Sequence, residues 1–257
     1  MPKNDLPNIV ITRDAPLIIN DSYQTMHYGT VFMDIGAYIE IRAGQKFQIE
    51  KLSEFNRFSE TGLSESEAAA YETLAENETK ADWRHHIIIT GKNGVKGDNG
   101  NDGKEWGGHG VRGKQGDPGE NAPTAFTLTI KQLKFDLTVL STGGKGGDGG
   151  DGGNGANGHD GSSKATGGIG GNGGNGGGGG NGGNGADMLT VRYASAGGFE
   201  PLVECMAGGG GRGGLGGTPG RNGEHYTGSA QPKEGSDGNS GLAGRQGQAK
   251  IEKIDED

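Results

Sequence analysis

Residues 167–185 read GGIGGNGGNGGGGGNGGNG, and fourteen of these nineteen residues are glycine. Such a stretch has no side chains from which to build an ordinary hydrophobic core. Glycine nevertheless keeps a strict phase, occupying 167, 170, 173, 176, 179, 182 and 185. The same period of three recurs at 91–103, 107–119, 143–161, 208–223 and 235–247. A flexible linker has no reason to keep phase. A period of three is that of polyproline II, whose backbone makes no internal hydrogen bonds and must find partners elsewhere. Collagen solves this with abundant proline, but only Pro118 and Pro219 lie inside these runs. The spacing therefore predicts several polyproline II-type helices of one chain packed side by side and bonding laterally.

The runs differ in how many faces they can bury. G-x-y turns predominate at 91–119 and 235–247, and G-G-x turns at 143–153, 167–185 and 208–217. The first class is expected in outer layers and the second in an inner layer. On this reading Gly146, Gly149, Gly173, Gly176, Gly179, Gly211 and Gly214 are structural, and Gly176 to Gly180 are enclosed on every side. Ordering glycine backbone costs roughly 1–2 kcal/mol per residue or more. Lateral hydrogen bonds return about 1 kcal/mol each, so nearly every amide must be satisfied.

The chain has 257 residues and 58 glycines, of which only Gly29, Gly36, Gly44 and Gly62 precede position 91. Two compositional parts result: 1–90 as an attachment domain and 91–247 as the glycine-rich part, followed by an acidic tail at 248–257. Net charge is −9, which argues against a nucleic-acid ligand, because phosphate binding needs a basic face. The single Cys205 supplies no disulfide framework. No apolar run is long enough to span a membrane, and no signal peptide is apparent.

The first ninety residues read as ordinary protein. Ile9–Ile11 and Leu17–Ile19 look like short strands, and Ile87–Ile89 like a strand leading into the glycine runs. Alternation at 37–42 and 47–50 around a Gly-containing turn suggests a hairpin. The capping box at Ser64–Glu67 predicts a helix over about 65–82. This part is rich in apolar residues for its size. Leu6, Ile9, Ile11, Leu17, Ile18, Val31 and Phe32 are candidates for docking on a partner as well as for a core. The fold expected is a small mixed α/β N-terminal domain followed by a layered polyglycine II (polyproline II-type) helix sandwich with loops at its distal tip.

The glycine runs are interrupted in two ways. Residues 123–141 and 187–206 carry strand-like alternation, whereas 104–106, 162–166 and 224–234 are short and polar or aromatic. If the runs go out and back, the strand segments gather near the N-terminal part and the polar loops at the far tip. At this point GGKGGDGGDGGNGANGHDG (143–161) and the 167–185 stretch, separated by a short variable segment, resemble the tip adhesins of T-even-type bacteriophage long tail fibres. The resemblance implies a three-layer polyglycine II sandwich. It also implies an N-terminal domain that caps the trimeric distal subunit of the fibre, and distal loops that bind a host outer-membrane protein such as a porin. Lipopolysaccharide would be a further ligand. Such a protein is made in the host cytoplasm and carried on the virion at the fibre tip.

The loops supply the candidate receptor contacts. Trp106 and Tyr226 lack apolar neighbours in sequence and offer rigid contact area with a polar group. His109, Lys164 and His225 lie in or beside the same loops, and Tyr193 and Phe199 are further candidates in 187–206. No nucleophile–base arrangement, metal-ligand spacing or cofactor motif is found. GxGxxG recurs only because glycine is everywhere, with no strand–helix unit around it. The sequence is read as a non-enzymatic adhesin needing no metal or cofactor. The alternative is a fibre-assembly chaperone that is absent from the finished particle.

Overall fold

A computed structural model describes residues 6–255 apart from 21–25, 35, 55–84 and 196. Eleven strands form two parallel sheets. One sheet is ordered β1-β3-β5-β7-β9-β11, from β1 (Ile9–Ile11), β3 (Met26–Met33), β5 (Lys46–Glu54), β7 (Thr127–Ile130), β9 (Leu189–Tyr193) and β11 (Ala249–Lys253). The other is ordered β10-β8-β6-β4-β2, from β2 (Leu17–Ile19), β4 (Tyr38–Ile41), β6 (His85–Thr90), β8 (Leu137–Thr142) and β10 (Leu202–Met206). The chain changes sheet at every connection. Each strand therefore pairs with the strand two places away in sequence, and every pairing is parallel.

Alternation in sequence produces this arrangement. Ile39 and Ile41 of β4, Ile87 and Ile89 of β6, and Leu128 and Ile130 of β7 are all fully buried. Leu189 and Val191 of β9 are buried with them, while the side chains between face outward. Buried residues of both sheets form a single apolar cluster. The sheets thus face one another, and their other faces are partly exposed, with Thr129 and Thr138 remaining buried. One face per sheet is enough to bury, so the period of two survives in strands that are all parallel.

This topology corrects the expected fold class. Among the described residues there is no helix, and no polyglycine helix sandwich is the organising unit; the regular structure is two parallel sheets of eleven strands. The three layers implied by resemblance are absent. The hairpin expected at 37–50 is corrected too: β4 and β5 belong to opposite sheets, so alternation on both sides of the Gly44 turn reflects two sheets, not one antiparallel pair. The helix expected at 65–82 lies outside the described residues. The strands in 123–141 and 187–206 join the sheets begun by the first fifty residues, and 249–253 of the acidic tail is the edge strand β11. Of the apolar residues considered for docking, Ile11 and Val31 are core, Ile9 and Leu17 pack against it, and Leu6 and Phe32 are half-buried. Ile18 on β2 remains 42% exposed and Val10 on β1 50%, each on the outward face of a different sheet.

The glycine runs leave and re-enter the strand ends as extended segments without strand pairing. They lie in two layers of three. The runs 91–103, 143–161 and 208–223 continue β6, β8 and β10, and the runs ending at 119, 185 and 247 lead back to β7, β9 and β11. Within a layer every third amide donates to the next run, as in Gly94 to Lys145 (2.8 Å), Gly97 to Asp148 (2.8 Å) and Gly149 to Arg212 (2.8 Å). Between layers the other glycine of each G-G-x turn does the same, as in Gly150 to Lys114 (2.9 Å) and Gly177 to Gly150 (2.8 Å). Runs 143–161 and 167–185 bond to four neighbours each, which explains their two glycines per turn. They are the middle runs of two layers, not an inner layer of their own.

Asn and Asp complete this network. At x positions their side-chain oxygens accept the backbone N–H of the neighbouring run: Asp148 from Arg212 (2.9 Å), Asp151 from Leu215 (2.9 Å), Asn175 from Ser236 (2.9 Å) and Asn181 from Leu242 (3.0 Å). The Arg212 amide on Asp148 holds its carboxyl below the usual carboxylate range. These bonds satisfy amides that a glycine carbonyl cannot reach. Asn and Asp suit the task because a short side chain carries the acceptor to the adjacent backbone.

A charged cluster sits on the outward face of the six-stranded sheet. Glu50 accepts from His27 (2.6 Å) and Gln48 (2.9 Å) and pairs with Lys131 (3.3 Å). Burial pushes its carboxyl up, but hydrogen bonds from His27, Gln48 and Lys131 outweigh it, leaving the pKa below the ordinary value. A lowered folded pKa gives stability that is complete above the unfolded value and is lost as pH falls through the folded one. Thermal melts across acidic pH should accordingly show a steeper loss in the native chain than in Glu50→Gln. Parallel curves would exclude this contribution.

Candidate recognition surface

Three loops close the far ends of the glycine runs. In the first, the Gly108 N–H donates to the Glu105 carbonyl (2.7 Å), Gly107 adopts φ 70°, and its N–H bonds to Asn157 (2.8 Å). Gly107 is required by that positive φ. The bend leaves Trp106 72% exposed over a groove lined by Lys104, Glu105, Ala156 and Asn157. The second loop is tied by the Ser162 and Ala165 amides, each bonded to the other's carbonyl (2.7 and 3.2 Å), with Lys164 exposed at its apex. In the third, His225 has φ 60°, and the Glu224 amide bonds to Asp160 (3.0 Å).

The second and third loops are joined. The His225 carbonyl accepts from the Gly167 N–H (3.2 Å) and the Thr166 hydroxyl (3.2 Å), and Thr166 and Thr227 hydroxyls lie 3.3 Å apart. The first loop ends level with Asn157, whereas the other two extend past Gly161. The far end is therefore stepped, with Trp106 on the lower step. Tyr226 is half-buried and leans over Gly228, where a Cβ would strike its ring.

The structure separates the sequence candidates. Trp106, Lys164, His225 and Tyr226 belong to the far loops. His109 is exposed at the start of the returning run, and its Nδ1 accepts the Asn172 N–H (2.8 Å), which fixes the ring to the layer. Two candidates are at the opposite end. Tyr193 in β9 is 3% exposed, and its phenol is pushed up by burial and then by Glu200. It is a core residue. Phe199 packs partly on the same core. The alternation of LTVRY, with Tyr193 in phase with Leu189 and Val191, was the signal that places Tyr193 inside. Compared with known proteins, the chain matches no family model and no curated sequence.

Ile169, not among the sequence candidates, is 40% exposed on the run 167–185, and its carbonyl lies beside Gly107. Other apolar side chains, Val95, Val111, Leu215 and Leu242, point outward along the runs at 68, 54, 64 and 73% exposure. They are dispersed over separate runs, with no contiguous patch implied. Among the described residues no group of three His, Cys, Asp or Glu side chains is placed to hold a metal. Burial pushes the Cys205 thiol up despite its Ser141 bond, which disfavours a reactive thiolate. Short loops, hydrogen-bonded at their bases, display aromatic, imidazole and ammonium groups at the far end.

Proposed function

We propose that the chain is a receptor-binding adhesin at the tip of a phage long tail fibre, recognising a host outer-membrane protein of the porin class through its far loops. The observation that carries the reading is Trp106, 72% exposed on a loop whose base is hydrogen-bonded into the glycine layers. An exposed tryptophan on a preorganised loop provides contact area without an ordering cost at binding. The resemblance of the glycine runs to fibre-tip adhesins supports the same assignment. Attachment to the trimeric distal fibre subunit falls on the end opposite the loops, where Val10 and Ile18 remain on the outer faces of the short strands.

The test begins with particle composition. Mass spectrometry of purified virions should find the chain in the finished particle, and purified protein added to host cells should block adsorption. Absence from virions would instead favour an assembly chaperone.

A further inference from the structure

We propose that the nine Asn-Gly pairs of the glycine runs are latent modification sites, deamidation sites that the folded layers hold closed. Asn-Gly is chemically vulnerable because glycine puts no side chain in the way of its own amide nitrogen. That nitrogen, once deprotonated, attacks the Asn Cγ. A C–N bond forms, the Cγ–NH2 bond breaks, and ammonia leaves with the proton. Water then opens the resulting imide at either carbonyl, giving Asp or isoaspartate. Nothing beyond water and a basic pH is needed.

The pairs begin at Asn93, Asn99, Asn154, Asn157, Asn172, Asn175, Asn181, Asn184 and Asn222. In every one the side-chain oxygen accepts a backbone N–H of another run, or of Lys233 in the third loop for Asn172, at 2.7–3.0 Å. In every one the following glycine N–H, the nucleophile of the reaction, donates to a carbonyl of a neighbouring run or, for Gly173, of Lys233. Asn181 shows the double lock: its Oδ1 accepts from Leu242 N–H (3.0 Å), and the Gly182 N–H donates to the Leu242 carbonyl (2.8 Å). Electrophile and nucleophile are held on the same neighbour. Attack requires both bonds to open, so the rate follows the locally open population. The residue that builds the layers is also the one most exposed to chemical loss, and the same bonds serve both ends.

The experiment is incubation of the full chain at mildly basic pH, folded and in denaturing urea, with peptide mapping of the Asn-to-Asp and isoaspartate products at each site. Folded chain should react at all nine sites more slowly than unfolded chain by at least about thirtyfold, the factor for breaking two net hydrogen bonds. Leu242→Pro removes one N–H at a position of extended backbone that proline tolerates. It should accelerate Asn181 selectively and leave the other sites slow. Ser236→Pro is the matching test at Asn175, should the first variant fold poorly. Equal rates in folded and unfolded chain would overturn the proposal, as would a folded Leu242→Pro protein or Ser236→Pro protein whose released site reacts no faster.

Discussion

Gly179→Val should abolish folding, whereas Gly178→Ala, one residue away, should leave the protein as stable as before or slightly more so. A Cβ at Gly179 would overlap the Gly211 carbonyl and lie 2.5 Å from the Gly211 carbonyl carbon and 2.8 Å from the Arg212 oxygen. All three are backbone atoms, fixed by bonds such as Gly211 N–H to Gly180 (2.8 Å), so the runs would have to separate. Separation breaks lateral bonds of both runs, and no apolar burial there compensates. Gly178 differs. Its nearest neighbour for a Cβ is the Asn239 oxygen at 3.6 Å, an ordinary contact. Alanine there removes chain entropy from the unfolded state, worth about 0.4–1 kcal/mol where the backbone suits it. Gly209, with no atom within 4 Å of a Cβ, should behave the same way. Asn101→Val, on an outward x position, should be mild. Circular dichroism melts of the four variants would reveal the pattern, and equal tolerance at 178 and 179 would contradict the layer geometry.

Phe47→Ala should destabilise by about 3–5 kcal/mol, the range for deleting a buried aromatic ring. Phe47 is fully buried in β5, and its ring lies 5.6 Å from that of Tyr28 at 47°. The second consequence tells more about the molecule. β5 pairs with β7, which receives the glycine run ending at 119, so the sheets and the glycine layers share their strands. Hydrogen exchange of glycine amides such as Gly147 and Gly177 should accelerate in Phe47→Ala, because the layers open when the sheets do. Unchanged protection of those amides would show that the layers fold by themselves. A fragment ending at residue 90 would leave β5 and β6 without β7 and β8, for the same reason.

The sequence disclosed the spacing but not the architecture built on it. A period of three was visible at once, and it is the interval of the lateral bonds from Gly94, Gly97 and Gly100. That these runs continue the strands of two parallel sheets was hidden. Alternation at 38–41 and 47–49 is the same whether the strands pair with each other or face each other across a core. Only the sheet partners decide, and β2, β6, β3 and β7 come from distant sequence. The Asn and Asp residues at x positions stand among Lys, Arg, Val and Ile, so composition alone does not mark their role. Their regular placement before or beside glycine was the available trace of the side-chain bonds from Asp148, Asp151 and Asn154. Loop positions at the far end followed from out-and-back runs, yet the hydrogen bonds joining 166 to 225 and 227, which step the tip, depend on tertiary geometry alone. Gly178 shows the same limit from the other side. Five consecutive glycines suggest complete enclosure, but in phase the middle one points outward.

The most direct measurement of the central claim compares adsorption to host cells by particles carrying Trp106→Ala, Tyr226→Ala, an exchanged 224–234 loop, or Phe199→Ala. Trp106 and Tyr226 variants should each lose roughly 1–3 kcal/mol of binding, with fold and incorporation into particles unchanged. The exchanged loop should redirect host range, and Phe199→Ala, at the sheet end, should adsorb normally once its folding is verified. Normal adsorption by both loop variants together with loss in a folded Phe199→Ala particle would place recognition at the sheet end and contradict the account.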